Sequence, residues 1–231
     1  MTSALKEWSA VVHALLDGRQ TVLLRKGGIH EKRFTVAADE FLFFPTVAHS
    51  HAERVRREHR DLLAAASADS TGDRLTIRAA AKVVAAVAVT RPDALPDIED
   101  LHIWTADSVR ADRLDFRPRH RLTVLVVQAC ALSEPIVLPR EPEYAGCTSW
   151  VELPVAAQRK RPVHDDAALA AVARRVRDGA AALRPDPPRQ RAPGEGDDEH
   201  EERDPDDVAH SSTVRAGRPP RNARPRPGAG R

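Results

Sequence analysis

The sequence predicts an α+β fold: a mixed, mostly antiparallel, barrel-like sheet with flanking helices, followed by a disordered tail. Three observations carry this prediction. Leu122 to Leu132 is a near-continuous apolar run containing Val124, Val126 and Val127, the composition of a central strand. Short apolar segments near the N-terminus are punctuated by Gly and Pro, as in extended structure with tight connections. From Arg184 onward the chain holds half of its 18 prolines, no aromatic residue and almost no large apolar one, so it cannot bury enough surface to offset the entropy of ordering. Residues 1–183 are therefore read as one globular domain. Residues 184–231 are read as a tail removable without loss of fold.

The elements follow in order. Trp8, Val11, Val12, Leu15 and Leu16 fit helical spacing over Glu7 to Leu16, and Asp17-Gly18 turns the chain. Thr21 to Leu24 reads as a strand, and Phe34 to Val36 and Phe41 to Phe44 as extended segments, the second ended by Pro45. Ser50-His51-Ala52-Glu53 has the form of a capping box. The helix it opens carries Val55, His59, Leu62, Leu63 and Ala66 on one side and Arg54, Arg56, Arg57 and Arg60 on the other. Leu75 to Val89 suits a helix by its alanines or strands by its valines, and the strand reading is preferred. Pro92 to Asp100 reads as a turn into a short helix, and Asp107 to Leu114 as a helix capped by Thr105. Ile136 to Leu138 and Thr148 to Leu153 continue the sheet. Asp165 to Leu183 closes the domain as an amphipathic helix with Leu169, Val172, Val176 and Leu183 on one side.

Composition narrows the function classes. Two cysteines, Cys130 and Cys147, are too few for a disulfide framework or a thiolate metal cluster. No stretch approaches ~18 uncharged apolar residues, and the N-terminus lacks the shape of a signal peptide. A soluble, cytoplasmic protein without membrane contact is the expectation. The formal charge of +2 hides an acidic block, Glu195 to Asp207, and six arginines without an acid from Arg215 to Arg231. Such blocks suit a solvated tail, or an arm for a protein or nucleic-acid partner.

The leading site is Leu23-Leu24-Arg25-Lys26-Gly27-Gly28-Ile29, an apolar strand that stops on two cations and a Gly-Gly turn. Unpaired charge in a core is costly, so Arg25 and Lys26 are expected at the mouth of the strand, with Gly27 and Gly28 letting backbone amides approach an anion. Pairing of Arg25 with a carboxylate such as Glu31 or Asp39 is the competing, structural reading. Trp104, in His102-Ile103-Trp104, and Arg113 form a second polar-aromatic cluster, with Trp104 read as core or rim or as a base-stacking ring.

Other chemistries lack their residues. His30, His49, His51 and His59 do not have zinc-ligand spacing. Arg57-Glu58-His59-Arg60-Asp61-Leu62 offers only the Arg-Glu start of a Nudix helix, and His49 stands where the upstream glutamate would fall. A restriction-type nuclease would need a Glu-x-Lys that Leu122 to Leu132 lacks, and no phosphate-loop or dinucleotide glycine pattern follows Gly27-Gly28. No metal or cofactor is expected.

Two resemblances add to this. Ala4-Leu5-Lys6-Glu7-Trp8, Leu23 to Ile29, Phe41 to Thr46, His102 to Thr105 and Gly146-Cys147-Thr148-Ser149-Trp150 together resemble the bacterial domain-of-unknown-function family numbered 1802. That resemblance spans roughly residues 4 to 155 and implies a single globular domain with no assigned activity. Gly18-Arg19-Gln20-Thr21-Val22-Leu23-Leu24-Arg25 is similar to the entry strand of the ASCH group of PUA-like domains, and Leu132-Ser133-Glu134-Pro135, Gly146 and Trp150 to its closing segment. The similarity implies a small β-barrel that binds RNA or modified bases. Gln20 and Leu23 replace the Lys and Glu used for amide hydrolysis in some members, which argues against catalysis. The combined expectation is a non-catalytic module binding RNA, DNA or a nucleotide. The alternatives are a hydrolase or nuclease acting on nucleotides or DNA, and a protein-protein adaptor working through the tail.

Overall fold

In a computed structural model, residues 1–26, 34–47, 51–116, 118–146 and 148–180 are described. Among them seven strands form one sheet: β1 (Thr2–Trp8), β2 (Val22–Lys26), β3 (Glu40–Thr46), β4 (Arg74–Ala88), β5 (Leu122–Pro139), β6 (Trp150–Leu153) and β7 (Arg159–Pro162). The helices are α1 (Ser9–Leu16), α2 (His51–Arg54), α3 (Leu62–Ser67), α4 (Ala106–Val109) and α5 (Asp166–Ala180). Short 3-10 segments cover Arg57–His59, Pro92–Leu101 and Pro142–Tyr144, and a π-helical turn covers Arg110–Asp115.

The strand order is β2-β5-β4-β3-β1-β6, with β7 also paired to β5. Only β1 and β3 run parallel; the other pairings are antiparallel. The mixed, mostly antiparallel expectation therefore holds, but the barrel-like closure does not. Closure requires the two end strands to meet in staggered register, and here β2 and β6 stand at opposite ends of an open sheet. They have five and four residues respectively. The outer edge of β5 is shared by β2 along Leu122 to Val126 and by β7 around Cys130 to Leu132.

Both faces of the sheet are covered, which is why its central strands do not alternate in sequence. In β3, Phe41 and Phe43 enter one core cluster while Leu42 and Phe44 enter another. Leu15 of α1 and Leu169, Ala173 and Val176 of α5 close the larger cluster. Each fully buried Leu or Val contributes about 1.5–3 kcal/mol relative to exposure.

Four sequence expectations need correction. The N-terminal segment is split: Thr2 to Trp8 is a strand beside β3, and the helix starts only at Ser9. Helical spacing of Trp8, Val11 and Val12 hid this because Trp8 packs inward from the strand end. Phe34 to Val36 is irregular chain. Pro45 does not end β3; it pairs with Glu7, past the last β4 partner at Leu42, so the amide it lacks forfeits no bond to β4. The long helix expected after Ser50 is broken into α2, a 3-10 turn and α3, because Val55 leaves the helix to bridge Trp104. Ser50, like Leu183 and the whole of 184–231, lies outside the described residues.

A proline and a glycine mark irregularities with physical causes. Pro135 sits where the β4–β5 register jumps from Ala79↔Ala131 to Ile77↔Ile136, a bulge that merges two predicted strands into one. Gly18 has φ +72° at the end of α1, so its backbone favours glycine, although a Cβ there would meet Val163 and His164 only in ordinary contact at 3.6 Å. Arg159–Pro162 lacks any large apolar residue and was not foreseen as a strand.

Candidate functional site

The end of β1, the end of β2, α2 and the π-helical turn converge at one pole of the sheet. The sequence places Arg25 next to last in β2, and its Nη1 donates to Glu7 Oε2 and to the Lys6 carbonyl, both at 3.0 Å. Phe34 lies under its guanidinium, 5.1 Å from ring centroid to Cζ. Arg25 is thus a half-buried cation paired with Glu7; among the described residues Asp39 does not pair with it, and Glu31 lies outside them. Glu7 is only 4 % exposed, and its other oxygen accepts the Trp8 amide at 2.8 Å.

A second pair lies beside the first. Arg54 Nη1 is 3.1 Å from Asp112 Oδ2, and its guanidinium covers Trp8 at 5.5 Å. Trp8 meets Trp104 edge to face at 4.7 Å. Trp104 is 6 % exposed, so it is a wall of this pole rather than an open stacking platform. It is held there by pairing of its segment with α2: Thr105 donates to the Arg54 carbonyl at 2.9 Å, and Arg56 to the Ile103 carbonyl at 2.9 Å.

Arg113 is different. The π-helical turn, a form concentrated at functional sites, carries it into the field of Glu7, Arg25, Asp112 and Arg54, half-buried. Burial lowers its pKa, Glu7 opposes that, and Arg25 lowers it further. Among the described residues no carboxylate or carbonyl takes a hydrogen bond from it. Lys26 donates to the Phe116 carbonyl just beyond the same turn. Gly27 and Gly28, also expected here, lie outside the described residues, as do His30 and His49.

The structure therefore brings Arg25, Lys26, Trp104 and Arg113 to one pole. Sequence reasoning missed Glu7, Trp8 and Arg54. The legible signal was Glu7 itself: a lone carboxylate between Leu5 and Trp8 in an apolar segment needs a buried cation to accompany it.

Gln20 and Leu23 have structural duties. Gln20 is 2 % exposed, donates to the Val22 carbonyl at 2.7 Å and accepts from Ile103 N at 3.2 Å, tying β2 to the Trp104 segment. Leu23 is 1 % exposed in the core.

A family model described as a domain of unknown function, DUF1802, matches residues 4–175. The chain belongs to this family. No curated protein matches it. The matched span runs from β1 into α5, so every residue of the DUF1802 pole lies inside it. The ASCH-like similarity is a separate matter, and the open sheet offers it no barrel.

A second group has the residue types of a hydrolytic triad but not its wiring. Ser9 Oγ and His13 Nε2 both bond Asp69 Oδ2, at 2.6 and 2.7 Å, and Arg78 Nε holds Oδ1. A nucleophile must donate to the base, with the acid on the base's far side. Here Ser9, fully buried, donates to the acid directly. Among the described residues no group of three His, Cys, Asp or Glu is placed to hold a metal ion. No helix among them is long and apolar enough to cross a membrane.

His102 of the DUF1802 domain is 2 % exposed and its Nδ1 accepts the Trp104 amide at 3.2 Å. Burial, reinforced by Arg56 and opposed by Asp100, pulls its pKa from 6.5 to about 4. The unfolded chain therefore binds a proton that the folded one refuses. Stability is full above pH ~6.5 and falls as pH drops toward 4, by about 3 kcal/mol at ~1.4 kcal/mol per pH unit. Urea unfolding at pH 7.5, 5.5 and 4.5 should show this loss in the wild type. His102→Asn, whose amide oxygen can accept the same backbone hydrogen, should flatten it; an equal loss in both proteins would assign the pH dependence elsewhere.

Proposed function

We propose that the DUF1802 domain is a non-catalytic module that binds the phosphate of a nucleic acid or nucleotide at the pole around Arg113. The observation that carries this is Arg113 itself: a half-buried guanidinium, without an acceptor among the described residues, flanked by the guanidiniums of Arg25 and Arg54. A phosphate oxygen supplies the charge-assisted acceptor that such a group lacks. Arg25, held by Glu7, positions the pole more than it contacts ligand, and Lys26 extends the positive edge.

Arg113→Ala should weaken binding of a single-stranded RNA or DNA oligonucleotide about tenfold at low salt. The slope of log affinity against log salt should shrink by about one, the mark of one lost phosphate contact. Because Arg113 has no hydrogen-bonded partner among the described residues, thermal unfolding should move little. Unchanged affinity and slope in Arg113→Ala, measured by fluorescence anisotropy across a salt series, would refute the reading.

A further inference from the structure

Beside the π-helical turn lies a cavity of about 270 Å³, walled by the Pro92–Leu101 segment, α4 and Arg110 and Leu114 of the turn itself; Arg113 is not part of its lining. That is just under the ~300–1,000 Å³ of pockets for drug-sized ligands, so its occupant is small. Leu95, Pro96, Val109 and Leu114 give it apolar walls that suit a flat ring. Asp93, Asp107 and Glu99 face the guanidinium of Arg110 in the lining and that of Arg56, 3.8 Å from Glu99, behind it, so the site carries a small excess of negative charge and disfavours anions.

His102 also lines this cavity. Its Nδ1 accepts the Trp104 amide, so the neutral ring carries its hydrogen on Nε2. That Nε2–H has no acceptor among the described residues, and His102, only 2 % exposed as a residue, lines the cavity. A ring N–H without a protein acceptor at the wall of a cavity can donate to an acceptor atom of a ligand there.

We infer that this cavity binds an amino-substituted nitrogen heterocycle of nucleobase size, with a ring nitrogen accepting from His102 Nε2–H and the exocyclic amino group donating to the surrounding carboxylates. Adenine and cytosine each present an acceptor nitrogen next to an amino donor, the complement of one imidazole N–H and nearby carboxylates. The ring fills the apolar space between Leu95, Pro96 and Leu114. The cavity excludes phosphate by its charge, so this site is distinct from the pole at Arg113 and stands or falls without it.

The test uses free bases, which carry no phosphate. Adenine titrated into the full-length protein, followed by calorimetry and by the His102 ring resonances, should bind saturably and shift those resonances. Unsubstituted purine, which keeps the ring acceptors but lacks the amino group, should bind at least tenfold more weakly. His102→Asn should weaken adenine at least tenfold. Asp93→Asn with Asp107→Asn, at exposed positions that leave folding intact, should weaken it at least threefold. Absence of saturable adenine binding, equal affinity for purine, or undiminished affinity in both the His102 and the double Asp variants would overturn the inference. Binding of oligonucleotide lost in Arg113→Ala with adenine binding absent in the wild type would leave the phosphate pole and remove the cavity.

Discussion

Asp69→Ala is expected to cost the fold about 3–5 kcal/mol, the usual consequence of removing one partner from a buried ionic network. For a domain of this size that lowers Tm by roughly 6–20 °C. Asp69 is 1 % exposed and collects three donors: Ser9 Oγ, His13 Nε2 and Arg78 Nε. Its side chain joins α1 and β4 to the loop after α3. Its backbone oxygen, bonded by Thr76 N at 2.8 Å, is unaffected by the substitution. Burial by itself would raise the Asp69 pKa; the hydrogen bonds from His13, Ser9 and Arg78 outweigh it and hold the carboxyl below its ordinary range. The stabilisation is thus present above the unfolded-state pKa of about 3.9 and is lost as pH falls through the lower folded value. Ser9→Ala removes only one neutral donor and should cost about 1 kcal/mol. Chemical unfolding at pH 7 separates these outcomes: a midpoint for Asp69→Ala within 0.5 kcal/mol of the wild type would mean that the network does not stabilise the fold.

That network shows where the sequence was readable and where it was not. The apolar runs at Leu122 and Leu75 announced β5 and β4 because burial on both faces leaves a near-continuous pattern. The Thr105 cap was readable because it is local, and Thr105 Oγ1 does accept Ser108 N, at 3.2 Å. Asp69, in contrast, sits in a polar stretch resembling a plain loop. Its burial follows from Ser9, 60 residues away, and no local pattern encodes that. The same holds at the pole. Arg25 and Lys26 stood out as cations ending an apolar strand, but the carboxylate that holds Arg25 lies 18 residues earlier, on a strand not adjacent to β2. Helical periodicity in Glu7 to Leu16 masked that strand. Barrel closure was misjudged for a related reason: a sequence marks strands, while the order of pairing is decided by which edges meet.

Glu7→Gln is expected to move stability and ligand affinity in opposite directions. Gln preserves the volume and one acceptor oxygen, so the 2.8 Å bond from the Trp8 amide survives. The charge is lost, and the Arg25 guanidinium is left half-buried with the Lys6 carbonyl as its remaining acceptor among the described residues. Breaking a buried ion pair outright costs about 3–5 kcal/mol, and with its one oxygen on the Trp8 amide the glutamine turns its NH2 toward Arg25, so a loss of that size is expected. Arg25, Arg54 and Arg113 would then face Asp112 alone, and the pole would become more positive by one charge. At a separation of roughly 10 Å and an effective dielectric near 20, one unit charge is worth about 1.5 kcal/mol, near tenfold in affinity for a phosphate-bearing ligand at low salt. The gain should shrink as salt rises, because the pole is open to solvent and screened. Oligonucleotide binding and urea unfolding of the same variant give both readings together. A stability loss accompanied by tighter binding fits a phosphate site whose charge Glu7 restrains; a stability loss with unchanged affinity would make the three arginines a structural cluster and nothing more.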